Sequence, residues 1–580
     1  MTEPQTSAAS GPALLAARLG IGFAQGVALY LLERFGKGLP DPVLGALALT
    51  LMLAPIVALG AIGATRARTL AIWLATAVLA LLALGAYDGF VFNFETPYRS
   101  EFWPRAPLLF FAATALFVAH HLILPADAER RWVAGYSSYF DEGWKDAVRL
   151  VLGCAFVGAL WLLLFLGAAL FDAIQLKFLG ELIQKPWFAW PATTSFFAIA
   201  VHVTAARAGL VLGARTLALN LLAWLLPLMT VIAGGFLVAL AFTGLGPLWG
   251  TGRAGGILLA ASAALVVLLN ATYQDGERDG YPPVLLKWAV RISAVLLAPL
   301  VAVAIYGLAL RIGQHGLTPQ RVHAIACLVV ATAYAAGYLW AALARGPWMR
   351  RLERVNVLTA HLIIAVILAV FSPILDPARL SVADQMARFQ RGKVAAEKLD
   401  YSFLAFEGGR WGREALSELQ KDARPFVRER AGEAARKKHR WEDVTRTPQA
   451  RRMSLTALDT PLPESFLAQS WPAEDEPSRA CGDACPALVR DVDGAPGDEV
   501  IVLATLPRVY SQGPGGRWRL VGRLSSALCE GDLEALKAGR FTLQDAAGKA
   551  VVIDGRARSF VRDTTCPGGA RPPAMSEHPW

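Results

Sequence analysis

The chain has 580 residues, 55% hydrophobic and 18% charged, with a formal net charge of +10 and a mean hydropathy of +0.42. Soluble domains carry nearer ~25% charged residues, so this composition excludes an ordinary soluble globular chain. The basic excess does not point to nucleic acid. Many Lys and Arg fall in short loops between apolar runs, the basic stretch 428–440 is interleaved with acids, and no recognised nucleic-acid module is present.

A spanning helix needs about 20 mostly apolar residues. Runs of that kind occupy 13–32, 43–64, 69–87, 106–124, 149–171, 193–214, 217–242, 255–273, 286–310, 321–344 and 355–371. The first has no A-x-A-like cleavage site after it and reads as a signal anchor. The sixth and seventh are separated only by Arg215 and Thr216. Alternate loops are basic. Arg66 and Arg68 lie in one, and Arg130, Arg131, Lys145 and Arg149 in or beside the next. Arg207 and Arg215 flank a third, Lys287 and Arg291 a fourth, and Arg345, Arg350, Arg351 and Arg354 form a fifth. The intervening loops 87–104 and 171–191 are aromatic, with Trp103, Trp187 and Trp190 suited to a membrane–water interface. Basic loops stay cytoplasmic, so the pattern predicts a cytoplasmic N-terminus and an exported C-terminal tail. Two stretches, 136–150 and 171–183, read as amphipathic helices lying on the membrane surface, or alternatively as a gate.

The tail begins near residue 376. A capping box, Ser381 with Asp384, predicts a helix over 381–393, and 413–443 reads as two helices broken near Pro425. After Pro448 the pattern turns to strands at 487–492, 499–505, 517–524 and 549–555, with a short helix at 533–539. The expected organisation is an α-helical membrane bundle over 1–375, a helical juxtamembrane segment over 376–447, a small α+β domain over 448–565 and a disordered end over 566–580.

The residues that could carry chemistry are few. Cys154 and Cys327 sit in apolar runs as small packing residues. Cys481, Cys485, Cys529 and Cys566 fall in the strand-rich tail, where export predicts two disulfides. A four-cysteine zinc site is the alternative, although only the Cys481–Cys485 spacing fits it. The segment DVDGAPGDE (491–499) offers Asp491 and Asp493 at alternate positions, as a calcium loop does, but Ala495 replaces a third oxygen ligand. The plainer reading, which is preferred, is an acidic hairpin turn with Gly494 and Gly497 at positive φ. Ionisable and amide groups at membrane depth are functional candidates by default, and the more interior ones are His202, Asn270 and His361. No nucleotide-binding, serine-hydrolase or zinc-protease motif occurs, and no cofactor other than calcium is implied.

Several stretches together carry a resemblance: RLGIGFAQGVALYLL (18–32), YFDEGWKDAVRLVLGCAFVGALWLLLFLGAALF (139–171), LNATYQDG (269–276), IYGLALRIGQHGLTPQR (305–321), SPILDPARLSVADQMARFQRGK (372–393) and LDYSFLAFEGGRWGREALSEL (399–419). They resemble the domain-of-unknown-function 4153 family of polytopic bacterial inner-membrane proteins. The resemblance implies an inner-membrane location and supplies no activity or site residues. With no catalytic motif, the chain reads as a non-enzymatic transport-like protein or envelope scaffold, whose exported domain recognises an envelope partner or small molecule beside the lipid bilayer. The transport version expects a polar cavity at mid-membrane. The alternative is a membrane enzyme acting on a lipid-linked substrate through Asp88, Arg99 and Glu101 in the aromatic loop.

Overall fold

The computed structural model describes residues 11–92, 104–246, 254–276 and 281–437, then 455–523 with short internal breaks, and the strands at 550–553 and 556–559. The chain divides into two compact units, Met1–His439 and Arg440–Trp580.

The first unit is helical. Its helices are α1 (Pro12–Phe35), α2 (Asp41–Ala61), α3 (Ala67–Val91), α4 (Ala106–Glu129), α5 (Tyr136–Ala173), the short α6 (Phe178–Ile183), α7 (Pro186–Ala206), α8 (Ala208–Thr243), α9 (Ala254–Tyr273), α10 (Val284–His315), α11 (Pro319–Leu343) and α12 (Arg351–Val370). Among the described residues, eleven of these are long and apolar enough to cross a membrane, all but α6. Proline opens several helices at a position where its missing N–H costs nothing. At α11 the Thr318 side chain accepts from the Arg321 N–H just after Gly316, at φ +76°, has ended α10.

Two boundaries differ from the sequence reading. The break between the sixth and seventh spans falls at Arg207, with φ −109° and ψ 53°, and not at Arg215. Arg215 stays inside α8 because it forms an ion pair with Asp141 of α5. The amphipathic stretch 136–150 is continuous with the following span, giving a 38-residue α5.

Small residues set the closest approaches. A Cβ built on Gly85 or Gly89 of α3 would lie 2.3 Å from the Gly45 carbonyl oxygen or 2.2 Å from the Asp41 carbonyl oxygen of α2. Gly22 and Gly26 of α1 bear in the same way on Thr194 and Pro191 of α7. In lipid, helices gain by such close packing, because the hydrophobic effect gives no preference between a neighbouring helix and a lipid tail. α8 to α12 enclose a separate apolar core that includes Leu265, Leu269, Val290, Leu297 and Tyr338.

Beyond α12 come α13 (Pro377–Gln390), α14 (Tyr401–Phe406), α15 (Gly409–Leu419) and α16 (Pro425–Arg436), sharing a core of Phe389, Leu404, Leu416 and Val427. The capping box at Ser381 does not form. Asp376 caps α13, accepting from the Ala378 N–H at 2.8 Å, because Pro377 can start the helix four residues earlier. Ser381 is therefore buried inside α13, and Asp384 accepts instead from the Leu317 N–H at 2.7 Å. α13 thus holds the GLTPQR turn between α10 and α11.

The second unit has a five-stranded sheet in the order β1-β2-β3-β4-β5, with β1 (Leu455–Ala457), β2 (Cys485–Arg490), β3 (Glu499–Val502), β4 (Arg508–Gln512) and β5 (Trp518–Arg523). β1 pairs with β2 in parallel and the rest form an antiparallel meander. Strand alternation sends Ala487, Val489, Val500 and Val502 to one face. There they pack with Tyr510, Trp518, Trp471 and Phe466 of α17 (Glu464–Ala468). A two-stranded pair, β6 (Ala550–Ile553) and β7 (Arg556–Ser559), follows. The predicted helix at 533–539 and the end over 566–580 lie outside the described residues.

Candidate functional site

A cavity of about 460 Å³ opens between α4, α9, α10, α11 and α12. Its walls are Phe111, Leu259, Ala263, Val267, Ala331 and Ile363, among others of the same character. Of the three residues that bring a hydroxyl to the lining, Thr114 and Ser262 turn theirs to their own helices, donating to the carbonyls of Phe110 at 2.9 Å and Leu258 at 2.8 Å, and Tyr334 is the third. The space is therefore apolar and fits a hydrocarbon chain. The polar mid-membrane cavity expected for solute transport is not this one.

His323, Val370 and Phe371 close one end of the cavity and also line a smaller one of about 30 Å³. Asp88, Arg105 and Asp376 line that second space. Asp88 is only 4% exposed, and Arg105 binds its Oδ1 through Nη2 at 2.5 Å and Nε at 2.7 Å. Its Oδ2 is buried with no hydrogen-bond partner, as is His323 Nε2. The other His323 nitrogen, Nδ1, lies 2.7 Å from the Pro319 carbonyl and so donates to it. Asp376 is saturated: Tyr87 and Trp411 both donate to its Oδ2 at 2.8 Å.

At the opposite end of the same helices the polar groups are amides and phenols. Asn270 of α9 donates to the Tyr338 hydroxyl at 2.6 Å, and that hydroxyl donates to Asn356 Oδ1 at 2.6 Å. Asn356 of α12 donates in turn to Asn270 Oδ1 at 2.6 Å and to the Tyr136 hydroxyl at 2.8 Å. Four helices are tied by this closed set. Beside it the Tyr273 hydroxyl donates to Glu353 at 2.9 Å.

The three intramembrane candidates have separate surroundings. Asn270 belongs to the closed network. His202 is buried on α7 and its Nδ1 lies 3.4 Å from Arg18 Nη1. His361 is exposed on α12, where its Nδ1 donates to the Val357 carbonyl at 2.8 Å. Among the described residues no hydrogen bond joins any of the three. Asp491 is exposed just after β2, while Asp493 lies outside the described residues, as do Arg99 and Glu101. Among the described residues no His, Cys, Asp and Glu group could hold a metal ion. Cys154 and Cys327 are free thiols; Cys485, buried at the start of β2, is not among them. Cys481, Cys529 and Cys566 lie outside the described residues. Sequence reasoning missed Tyr136, Tyr338 and Asn356. A hydroxyl or amide at the polar end of a span looks like any interfacial residue until its partners are known.

Among the described residues, eleven apolar helices, an apolar cavity between them and polar clusters towards both ends of those helices define an integral, multipass membrane protein. The family model described as Domain of unknown function (DUF4153) matches residues 43–421, and the chain belongs to that family. No curated protein and no solved structure matches it.

Proposed function

We propose that this is a non-enzymatic, transport-like protein of the bacterial inner membrane that holds the hydrocarbon chain of a lipid, with a cytoplasmic N-terminus and a periplasmic C-terminal domain that recognises an envelope partner. The observation that carries the reading is the apolar cavity of about 460 Å³. A polar solute would meet no free hydrogen-bonding group along most of that wall, whereas an acyl or isoprenoid chain loses nothing by leaving the bilayer for it. Asp88, Arg105 and His323 lie where the polar end of such a lipid would emerge.

The second reading, a membrane enzyme acting on a lipid-linked substrate, rests on the unpartnered Asp88 Oδ2 and His323 Nε2 at that rim. The two readings share the lipid and differ in whether it is altered.

The test is binding of a fluorescent fatty acyl probe to purified protein in nanodiscs. Ala263→Trp and Ala331→Trp both place an indole in the cavity and should each weaken binding at least ~10-fold, the scale of filling a ligand's place. Unchanged binding in variants that still melt cooperatively would remove the cavity from the function. Chemical turnover of a lipid by the purified protein, lost in Asp88→Asn, would favour the enzyme.

A further inference from the structure

A different cavity, of about 220 Å³, lies among α1, α2, α4, α5 and α7. Leu53, Val57, Leu116, Phe117, Leu150 and Val201 make most of its wall. Its charged lining is Arg18, Arg149 and Asp146, with His120 and His121 beside them.

Arg18 is 5% exposed. Among the described residues no carboxylate pairs with it. Its contacts are two long ones, Nη1 to His202 Nδ1 and Nη2 to the Ile62 carbonyl, both at 3.4 Å. Its Nε–H is buried with no partner. Arg149 donates from Nη1 to Asp146 at 2.5 Å, and its Nε–H is also buried without a partner. Asp146 is shared, since His121 Nε2 lies 3.1 Å from its other oxygen. The lining therefore holds one carboxylate, taken by Arg149 and His121, against two guanidinium groups. His120 adds a further donor: its Nδ1 accepts from the Trp73 indole at 3.2 Å, so a neutral ring carries its proton on Nε2.

A buried cation without a counter-charge is costly. Two guanidinium groups, each with an orphaned Nε–H, line one space and make it a receptor for an anion, because planar guanidinium donors match phosphate oxygens. The apolar walls decide what the anion is attached to. A free phosphate would leave them bare, whereas a lipid covers them with its chains. Depth agrees. Arg18 is six residues into α1, about 9 Å along the axis, where the headgroup region of a bilayer meets its hydrocarbon.

We propose that this cavity binds the phosphate group of an acidic membrane lipid, with Arg18, Arg149 and His120 as its donors and the apolar wall against its chains. The site is separate from the larger cavity and does not depend on what that one holds.

The experiment uses the full chain purified in mild detergent, with added phosphatidylglycerol, phosphatidylcholine of the same chains, or inorganic phosphate. Native mass spectrometry reads the adduct and thermal unfolding reads the stabilisation. Phosphatidylglycerol should bind as one retained molecule and raise the melting temperature; phosphatidylcholine at the same concentration should do neither. Arg18→Gln and Arg149→Gln should each weaken phosphatidylglycerol binding at least tenfold. Without lipid, Arg18→Gln should melt no lower than the parent chain, because it removes an uncompensated buried charge; a purely structural arginine would give the opposite sign. If Arg18→Gln does not fold, Val201→Trp, which occupies the cavity without touching a charge, should abolish the adduct. Equal binding of both lipids, or binding unchanged in Arg149→Gln and Val201→Trp, would overturn the proposal. So would inorganic phosphate that displaces the lipid at equal concentration, since the site would then be one for the free ion.

Discussion

Asn356 donates to Asn270 across the α9–α12 interface at 2.6 Å, and each amide reaches the same two phenols, Tyr136 and Tyr338. The set closes on itself, so each member satisfies groups that would otherwise be stranded in a low-dielectric interior. Single hydrogen bonds between membrane helices contribute little, about 0.6 kcal/mol on average, but stranding a buried partner costs roughly 1–3 kcal/mol. Asn356→Leu and Asn270→Leu should each destabilise the bundle by about 2 kcal/mol. The double variant should cost less than the sum by ~1 kcal/mol, since the second change removes a group already stranded. Unfolding measured by steric trapping in bicelles checks this, and strict additivity would show that the amides act independently.

The Asp88–Arg105 pair makes a sharper case, because its carboxylate is almost fully buried. Removing one partner of such a pair typically costs 3–5 kcal/mol, mostly for the charge left behind. Arg105→Met should therefore lower stability by about that much. Asp88→Asn combined with Arg105→Met should recover most of the loss, ending within ~1–2 kcal/mol of the parent chain. A double variant as damaged as Arg105→Met would show that Arg105 matters for its packing over Phe92, 3.4 Å from the ring centroid, and not for its charge.

Glycines give predictions of opposite sign. Gly85→Ala places a methyl 2.3 Å from a backbone oxygen of α2, so α2 and α3 must separate, at a cost of about 1–3 kcal/mol. Gly20 of α1 and Gly158 of α5 have nothing within 4 Å of a built Cβ. Alanine at either should be neutral or stabilise by ~0.5–1 kcal/mol through helix propensity. Thermal unfolding of the three single variants separates the cases; a stabilised Gly85→Ala would contradict the α2–α3 packing.

The span count was legible because a hydrocarbon layer imposes a length that apolar composition reveals directly. The break before α8 was not, because a charged residue inside a span reads as a boundary unless its partner is known. For Arg215 that partner, Asp141, lies on another helix. β2, β3 and β5 were legible as apolar or alternating runs. β1 was not, being three residues long and paired with a strand that starts thirty residues later, and β4 carries one buried side chain, Tyr510, in a polar stretch. The candidate site was legible only as separate residues. Asn270 was singled out, but Tyr136 and Asn356 are 220 positions apart, and no spacing rule joins them. The apolar cavity has no sequence signature, since its walls are the residues any span would carry.

Topology is testable without any structure. The cluster Arg345, Arg350, Arg351 and Arg354 precedes α12 and should stay cytoplasmic. A reporter active only in the periplasm should be silent when fused after Arg350 and active after Trp580. Activity at Arg350 with silence at Trp580 would invert the orientation, because among the described residues α12 is the one candidate span between the two fusion points.

The oxidation state of the tail follows from that orientation. An exported domain meets an oxidising compartment, where cysteines pair. Cys485 sits at the first position of β2, beside Leu455 of β1, so a bond from it to Cys529 or Cys566 would join the central sheet to a distant part of the chain. Closing a loop of tens of residues stabilises by about 3–4 kcal/mol on the chain-entropy account, a useful amount for a domain with a small core. The chain has six cysteines. Denatured without reductant and alkylated, it should take up label at Cys154 and Cys327 alone; after reduction all six should react. A reductant should also lower the unfolding temperature of the tail, and a chelator should leave it unchanged. Six labelled cysteines before reduction would refute the pairing and with it the strongest chemical consequence of an exported tail. Unfolding by the chelator alone would instead assign Cys481, Cys485, Cys529 and Cys566 to a metal.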